Sequence, residues 1–165
     1  MKLVDTLAEQ HVLEQVLETT KPPIPRECTG CHYLLAAPFR YGAPYPSGSR
    51  FPRAGHTPGV FYASDTPHTA VAEMAFRRLL FFADAPTVPW PINASEYTAF
   101  AVRFRTASGL DLTAPRLDRD GDQWTHPTDY SPCQAVADTA REVGVEALRY
   151  RSTRTTGRNL AILTC

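Results

Sequence analysis

The chemistry open to this chain centres on one carboxylate and two guanidinium groups. Glu73 closes the run Thr69-Ala-Val-Ala-Glu73 and is followed by Met74 and Ala75, so it sits in a helical stretch among small side chains. A carboxylate desolvated there without a partner costs on the order of several kcal/mol, and small neighbours leave room for a ligand. The competing reading is a helix-surface pair with Arg77 at i, i+4, a contact worth about 0.2 to 0.5 kcal/mol. Arg40 and Arg50 flank the Pro/Gly/Ser-rich segment from Gly42 to Arg53. A guanidinium there is either a solvent-facing charge or a bidentate grip on phosphate oxygens. Tyr62 ends an apolar run just ahead of the Glu73 helix, within reach of the same pocket or satisfied as a core tyrosine.

Two further clusters carry weaker signals. Cys28-Thr-Gly-Cys31-His32 matches a haem-attachment pattern and half of a zinc site, but Cys133 and Cys165 stand alone in the sequence and no second ligand pair has sensible spacing. The thiols are expected to be structural and no metal is implied. Asp118 to Asp122 supplies oxygen ligands without the spacing of a calcium loop, so it reads as a solvated turn.

These residues need elements to hold them. Leu3, Leu7, Val12, Leu13, Val16 and Leu17 recur at helical spacing over residues 2–19 and predict an amphipathic N-terminal helix packed on its own domain. His32 to Ala37 is expected as a first strand closed by Pro38, and Gly59 to Ala63 as a second. Thr66 and Pro67 are a helix start. On that helix Val71, Met74, Ala75, Arg78 and Phe82 fall near one another, with Ala70, Glu73 and Arg77 on another face. A loop is predicted over Phe81 to Ala94, a strand over the alternating Tyr97 to Thr106 and a short strand at Leu110 to Thr113. A helix is expected over Cys133 to Val143 ending at Gly144, then strands over Val145 to Tyr150 and Asn159 to Thr164, the last central or beside the first. The fold class is α+β (mixed α/β), one domain.

Bulk properties narrow the function classes. The 165 residues carry 17 Lys plus Arg against 17 Asp plus Glu, so no net charge calls for nucleic acid or a membrane surface. Arg149, Arg151, Arg154 and Arg158 form a local basic group without the aromatic interleaving of a nucleic-acid reader, and it reads as partial phosphate binding or surface charge. No apolar run approaches a membrane span and the N-terminus lacks a basic-then-apolar leader. A cytoplasmic protein without disulfides is expected.

Taken in order, Tyr33-Leu-Leu-Ala-Ala-Pro-Phe-Arg40-Tyr41, Gly48-Ser-Arg50-Phe, Tyr62-Ala-Ser64, Thr69-Ala-Val-Ala-Glu73, Tyr150-Arg-Ser152-Thr-Arg154 and Asn159-Leu-Ala-Ile-Leu163 resemble the RES-domain family over about Tyr33 to Leu163. The resemblance implies an ADP-ribosyltransferase-like split sheet with flanking helices around an NAD cleft, with 1–30 as an N-terminal helix and proline-rich lead-in and 31–165 as the domain. It also implies a toxin of a bacterial toxin–antitoxin pair with NAD as substrate. In that frame Glu73 stabilises the oxocarbenium-like ribose as nicotinamide leaves. Arg40 and Arg50 hold the pyrophosphate, Tyr62 and Tyr41 pack on nicotinamide or ribose, and Ser152 orients Glu73 or the substrate. Related toxins differ in the acceptor. Some are NAD phosphorylases or glycohydrolases and others ADP-ribosylate a protein, and the close spacing of Arg40 and Arg50 looks most like the branch that modifies phosphoribosyl pyrophosphate synthetase. The implied partners are that protein target and a cognate antitoxin blocking the cleft around Arg50 and Glu73. A catalytically inactive protein-binding module is the alternative from another class.

Overall fold

The computed structural model describes residues 4–41, 48–55 and 59–165. Its centre is a four-stranded mixed sheet in the order β1-β4-β3-β2, with β1 Phe61–Ser64, β2 Gly109–Asp111, β3 Ala147–Arg151 and β4 Arg158–Ile162. β4 pairs antiparallel with both β1 and β3, and β2 adds to β3 in parallel. The last strand is thus central and lies beside Phe61–Ser64. Five helices flank the sheet among the described residues: α1 Leu7–Thr20, α2 Tyr33–Arg40, α3 Pro67–Asp84, α4 Gly121–Trp124 and α5 Ser131–Glu142. This is a single-domain α+β fold.

Alternation along the strands builds two unlike faces. The register puts Tyr62, Ser64, Asn159, Ala161, Leu148 and Tyr150 on one face and Phe61, Ala63, Leu160, Ile162 and Arg149 on the other. The first face meets α4 and α5 in the main core, where Phe51, Leu112, Leu148 and Leu163 are fully buried beside Trp124, Cys133 and Ala137. Each such side chain contributes roughly 1.5 to 3 kcal/mol over its exposed state. The second face is covered by Ala36, Phe39 and Leu35 of α2, which pack on Phe61 and Ile162.

Residues 33–40 are therefore a helix where the sequence predicts a strand. His32 caps it through Nδ1, which accepts from Leu34 N–H at 3.3 Å, and Ala36 and Phe39 share its buried side. A short apolar run has no periodicity to separate the two states, and Pro38 sits inside the helix without ending it.

Residues 97–106 depart the other way. They join no ladder, and Phe100, Val102 and Phe104 remain 51, 38 and 39% exposed. Val102 and Phe104 instead border a small cavity of about 210 Å³ on the second face with Phe61, Leu160 and Ile162. Alternation here serves an extended segment lying across the sheet rather than within it. Helix α3 runs through Phe81 and Phe82 into the predicted loop, with Phe82 buried and its ring 5.3 Å from Trp90.

The N-terminal helix forms as predicted, with a capping box between Thr6 and Glu9. It does not pack on the domain as predicted. No residue of α1 is buried, and Leu7 is 84% exposed. Its tie to the rest is ionic, Glu18 accepting from Arg40 Nη1 at 2.6 Å. No helix of the described residues is long and apolar enough to cross a membrane.

Cys28 and Cys165 are joined in a disulfide, against the expectation of free thiols. The chain after β4 returns to the turn at Arg26–Cys28, which sequence distance conceals. Cys31 is free and exposed and Cys133 free and buried. The bond closes a loop with a sequence separation of 137. Breaking it is expected to cost roughly 3 to 5 kcal/mol by loop entropy. Urea denaturation of the oxidised protein, the reduced protein and Cys165→Ser checks this, with the last two expected to share one lower midpoint.

Candidate active site

The functional residues converge on the first sheet face at a cavity of about 430 Å³, within the usual range of ligand sites. Its lining includes Arg50, Tyr62, Glu73, Arg77, Arg154 and Asn159. Three guanidinium groups against one carboxylate give the lining a positive balance.

Glu73 reaches it from α3, whose start is set by Thr66: its hydroxyl accepts from Thr69 N–H at 3.2 Å, with Pro67 in the first turn. Thr69 lies four residues before Glu73 on the same helix face and touches the 152–157 turn through Thr155, Oγ1 to Oγ1 3.1 Å. That turn is closed by Ser152 N–H donating to the Gly157 carbonyl at 3.0 Å. The helix and turn are fastened at the Thr69–Thr155 contact and again between Ser152 and Glu73. Ser152 Oγ accepts from the N–H groups of Arg154 and Thr155 at 3.0 and 3.2 Å, so its proton is directed to Glu73 Oε1 at 2.6 Å. Asn159 Nδ2 donates to the same oxygen at 2.8 Å. The i, i+4 proximity of Arg77 does not govern Glu73; donors from outside the helix do.

Arg50 comes from the 48–53 loop, which the fold pins from three sides. Arg50 Nη1 donates to the Trp124 carbonyl at 2.7 Å, and its guanidinium lies 4.9 Å from the Tyr130 ring centre. Gln134 Nε2 of α5 donates to Ser49 O at 3.0 Å, and Asp138 pairs with Arg53 at 2.6 Å. Gly48 allows the turn: its φ is +72°, and a Cβ would lie 2.4 Å from Pro52 O. Arg154 arrives from the opposite wall, its guanidinium carbon 3.3 Å from the Phe76 ring centre.

The Tyr62 hydroxyl is enclosed, against Ser49 Oγ at 3.2 Å and accepting from Phe51 N–H at 3.3 Å, while 42% of the residue stays open along the cavity. Burial of that hydroxyl pushes its pKa up, and the hydrogen bonds only partly oppose the shift. Tyr150 is pushed up as well, by burial first and then by its electrostatic interaction with Tyr62 and Glu73 nearby. Burial also raises the Cys133 thiol, which donates to the Trp124 carbonyl at 3.5 Å and reads as packing.

Of the predicted site residues, Glu73, Ser152, Arg50 and Tyr62 are brought together. Arg40 and Tyr41 are not among the residues lining the cavity. With 33–40 folded as α2 on the second sheet face, Arg40 emerges away from the cleft, bonding Glu18 and, through Nε, the Pro22 carbonyl. Tyr41 follows it, 44% exposed. The intervening Gly42 to Ser47 lies outside the described residues. The sequence does not single out Asn159, Arg77 as a lining residue or Tyr130, and of its basic group Arg149, Arg151, Arg154 and Arg158 only Arg154 lines the cavity. Asn159 had a legible signal: it is a polar residue in phase with buried Ala161 on an apolar strand. Among the described residues no His, Cys, Asp and Glu cluster could hold a metal ion.

An α+β domain with a buried arginine and a glutamate held by a serine beside one cleft defines a class of ligand-binding or catalytic protein built around that trio. The particular family follows from comparison: the RES domain model matches residues 24–165, and the chain belongs to the RES-domain family. No curated protein matches the chain. The family is associated with toxins of toxin–antitoxin pairs that use NAD.

Two outcomes are expected from this geometry. A Cβ on Gly157 would fall 2.2 Å from Thr69 Oγ1, so Gly157→Ala should push the 152–157 turn off α3 and loosen Ser152 from Glu73. Destabilisation of about 1 to 3 kcal/mol is expected by the cost of overpacking, read by urea denaturation. For the two phenols, a proton held more tightly in the fold than in the unfolded chain contributes stability that is complete below about pH 10 and lost as pH rises towards the folded value. Ultraviolet titration should show Tyr62 and Tyr150 ionising only with unfolding.

Proposed function

We propose that this protein is the toxin of a bacterial toxin–antitoxin pair that breaks the nicotinamide–ribose bond of NAD and transfers ADP-ribose to a protein. The observation that carries the reading is Glu73, its Oε1 held by Ser152 and Asn159 in a cavity that Arg50, Arg77 and Arg154 also line. A dinucleotide offers that cavity two phosphates for the arginines and a ribose for the carboxylate. As the C1′–N bond lengthens, its electron pair moves onto the nicotinamide ring, which leaves neutral without an acid. Positive charge gathers on the ribose, where a preorganised anion lowers the barrier. The acceptor nucleophile then bonds to C1′ and gives up its proton.

Arg50, fixed by the Trp124 carbonyl, and Arg154, backed by Phe76, are suited to the pyrophosphate. Tyr62 offers its open ring face to the nicotinamide or ribose. Arg40, turned away on α2, has no part in this scheme. The motif resemblance favours phosphoribosyl pyrophosphate synthetase as acceptor, and a cognate antitoxin would act by covering the cleft at Arg50 and Glu73.

The test is mass spectrometry of products after incubation with NAD, with and without phosphate and bacterial lysate. Release of nicotinamide with an ADP-ribose mass on a lysate protein is expected, and Glu73→Ala should lower the rate by about a hundredfold or more. Free or phosphorylated ADP-ribose would make the protein a glycohydrolase or phosphorylase instead. An unchanged NAD pool would return it to the class of binding modules.

A further inference from the structure

We infer that Asn159 is a positioning residue for the Glu73 carboxylate, a role that rests on the reading of Glu73 as the catalytic group. Its side chain is 4% exposed and bridges two elements. Ser64 Oγ on β1 donates to Asn159 Oδ1 at 2.7 Å, and Asn159 Nδ2 donates to Glu73 Oε1 at 2.8 Å. The polarity of this chain is forced. An ionised carboxylate only accepts, so the amide must turn its NH₂ towards Glu73, and the oxygen left over takes the serine proton.

The consequence lies in which oxygen is used. Ser152 and Asn159 both donate to Oε1, while Oε2 receives no hydrogen bond from any described residue. Two donors from different elements, β4 and the turn after β3, hold Oε1 in place and leave the other oxygen for the reacting sugar. Ser152 alone would fix a distance. Asn159 adds the direction, and Ser64 keeps the amide from flipping.

The charged and titratable groups that line the cavity with Glu73 are Arg77 on its own helix, Arg50 from the 48–53 loop, Arg154 beyond Ser152, Tyr130 ahead of α5, and Tyr62 and Tyr150 on the sheet. All are retained when position 159 is changed, so a change in pH dependence reports the new contact itself. Asn159→Asp keeps the shape and replaces the donor by a second carboxylate. Like charges in contact hold protons more tightly, and the acid limb of the kcat profile is expected to move to higher pH by about one unit or more. Asn159→Ala should lower kcat by roughly ten- to a hundredfold with KM little changed. Ser64→Ala, which leaves Asn159 in place, should act in the same direction and more weakly.

The experiment measures nicotinamide release from NAD across pH for the full-length protein, these three variants and Glu73→Gln. A shifted acid limb in Asn159→Asp, with kcat rather than KM falling in Asn159→Ala and Ser64→Ala, supports the role. Loss of activity in Glu73→Gln with a parental pH profile and kcat in Asn159→Asp and Ser64→Ala overturns it while sparing the catalytic reading. Should the Asn159 variants fail to fold, Ser64→Ala decides between these outcomes. Parental activity in Glu73→Gln, or no release by the parent, overturns both.

Discussion

Everything at the cleft depends on one oxygen atom receiving two hydrogen bonds. Glu73 Oε1 is the point where α3, β4 and the turn after β3 meet, and none of the three is held to the others there by apolar packing alone. A carboxylate drawn out of water without such donors would cost more than the helix face around it could return. The small residues beside it, Ala70 among them, clear the space that the cavity occupies. Charge, space and hydrogen bonding are thus satisfied by the same arrangement, and moving any one of these elements disturbs the others.

The sheet gives that arrangement its sidedness. Tyr62, Asn159 and Tyr150 project from one face because they fall in phase across three paired strands. Their neighbours Phe61, Leu160 and Ile162 face the other way, onto α2 or the second cavity. Arg50 belongs to the first side although it precedes β1, because α4 and α5 grip its loop. Arg40, ten residues earlier, belongs to the second.

Local rules made much of this legible. Thr66 and Pro67 start a helix wherever their surroundings permit, and Glu73 followed in its second turn. Val145 to Tyr150 and Asn159 to Thr164 read as strands from their composition, and the strands formed are Ala147–Arg151 and Arg158–Ile162, shifted by one or two residues at each end. Glu73, Ser152, Arg50 and Tyr62 were picked out because their types and order matched a family, and the structure gathers them. What failed did so where the deciding partner lies far away in sequence. His32 to Ala37 has the composition of a strand, but the sheet was already complete and the face beneath it needed a helix. The alternation of Tyr97 to Thr106 described a real difference between its two sides without revealing that no strand would pair with it. Arg40 follows from the same difference, since it ends a helix on the second face rather than following a strand. Asn159 was overlooked since an amide in an apolar strand declares a buried partner but not which one.

The link between Cys28 and Cys165 has a consequence for how the molecule comes apart. It encloses the sheet, helices α2 to α5 and the whole cleft in a covalent ring, leaving α1 as a free arm outside it. A protease that cuts the exposed stretch around Trp90 and Ile92 therefore opens the ring without releasing a fragment, and the nicked protein keeps its mass until a thiol reductant separates the pieces. A cut near the junction with α1 sheds that arm at once. Limited proteolysis run with and without reductant would trace the boundary of the ring directly on a gel.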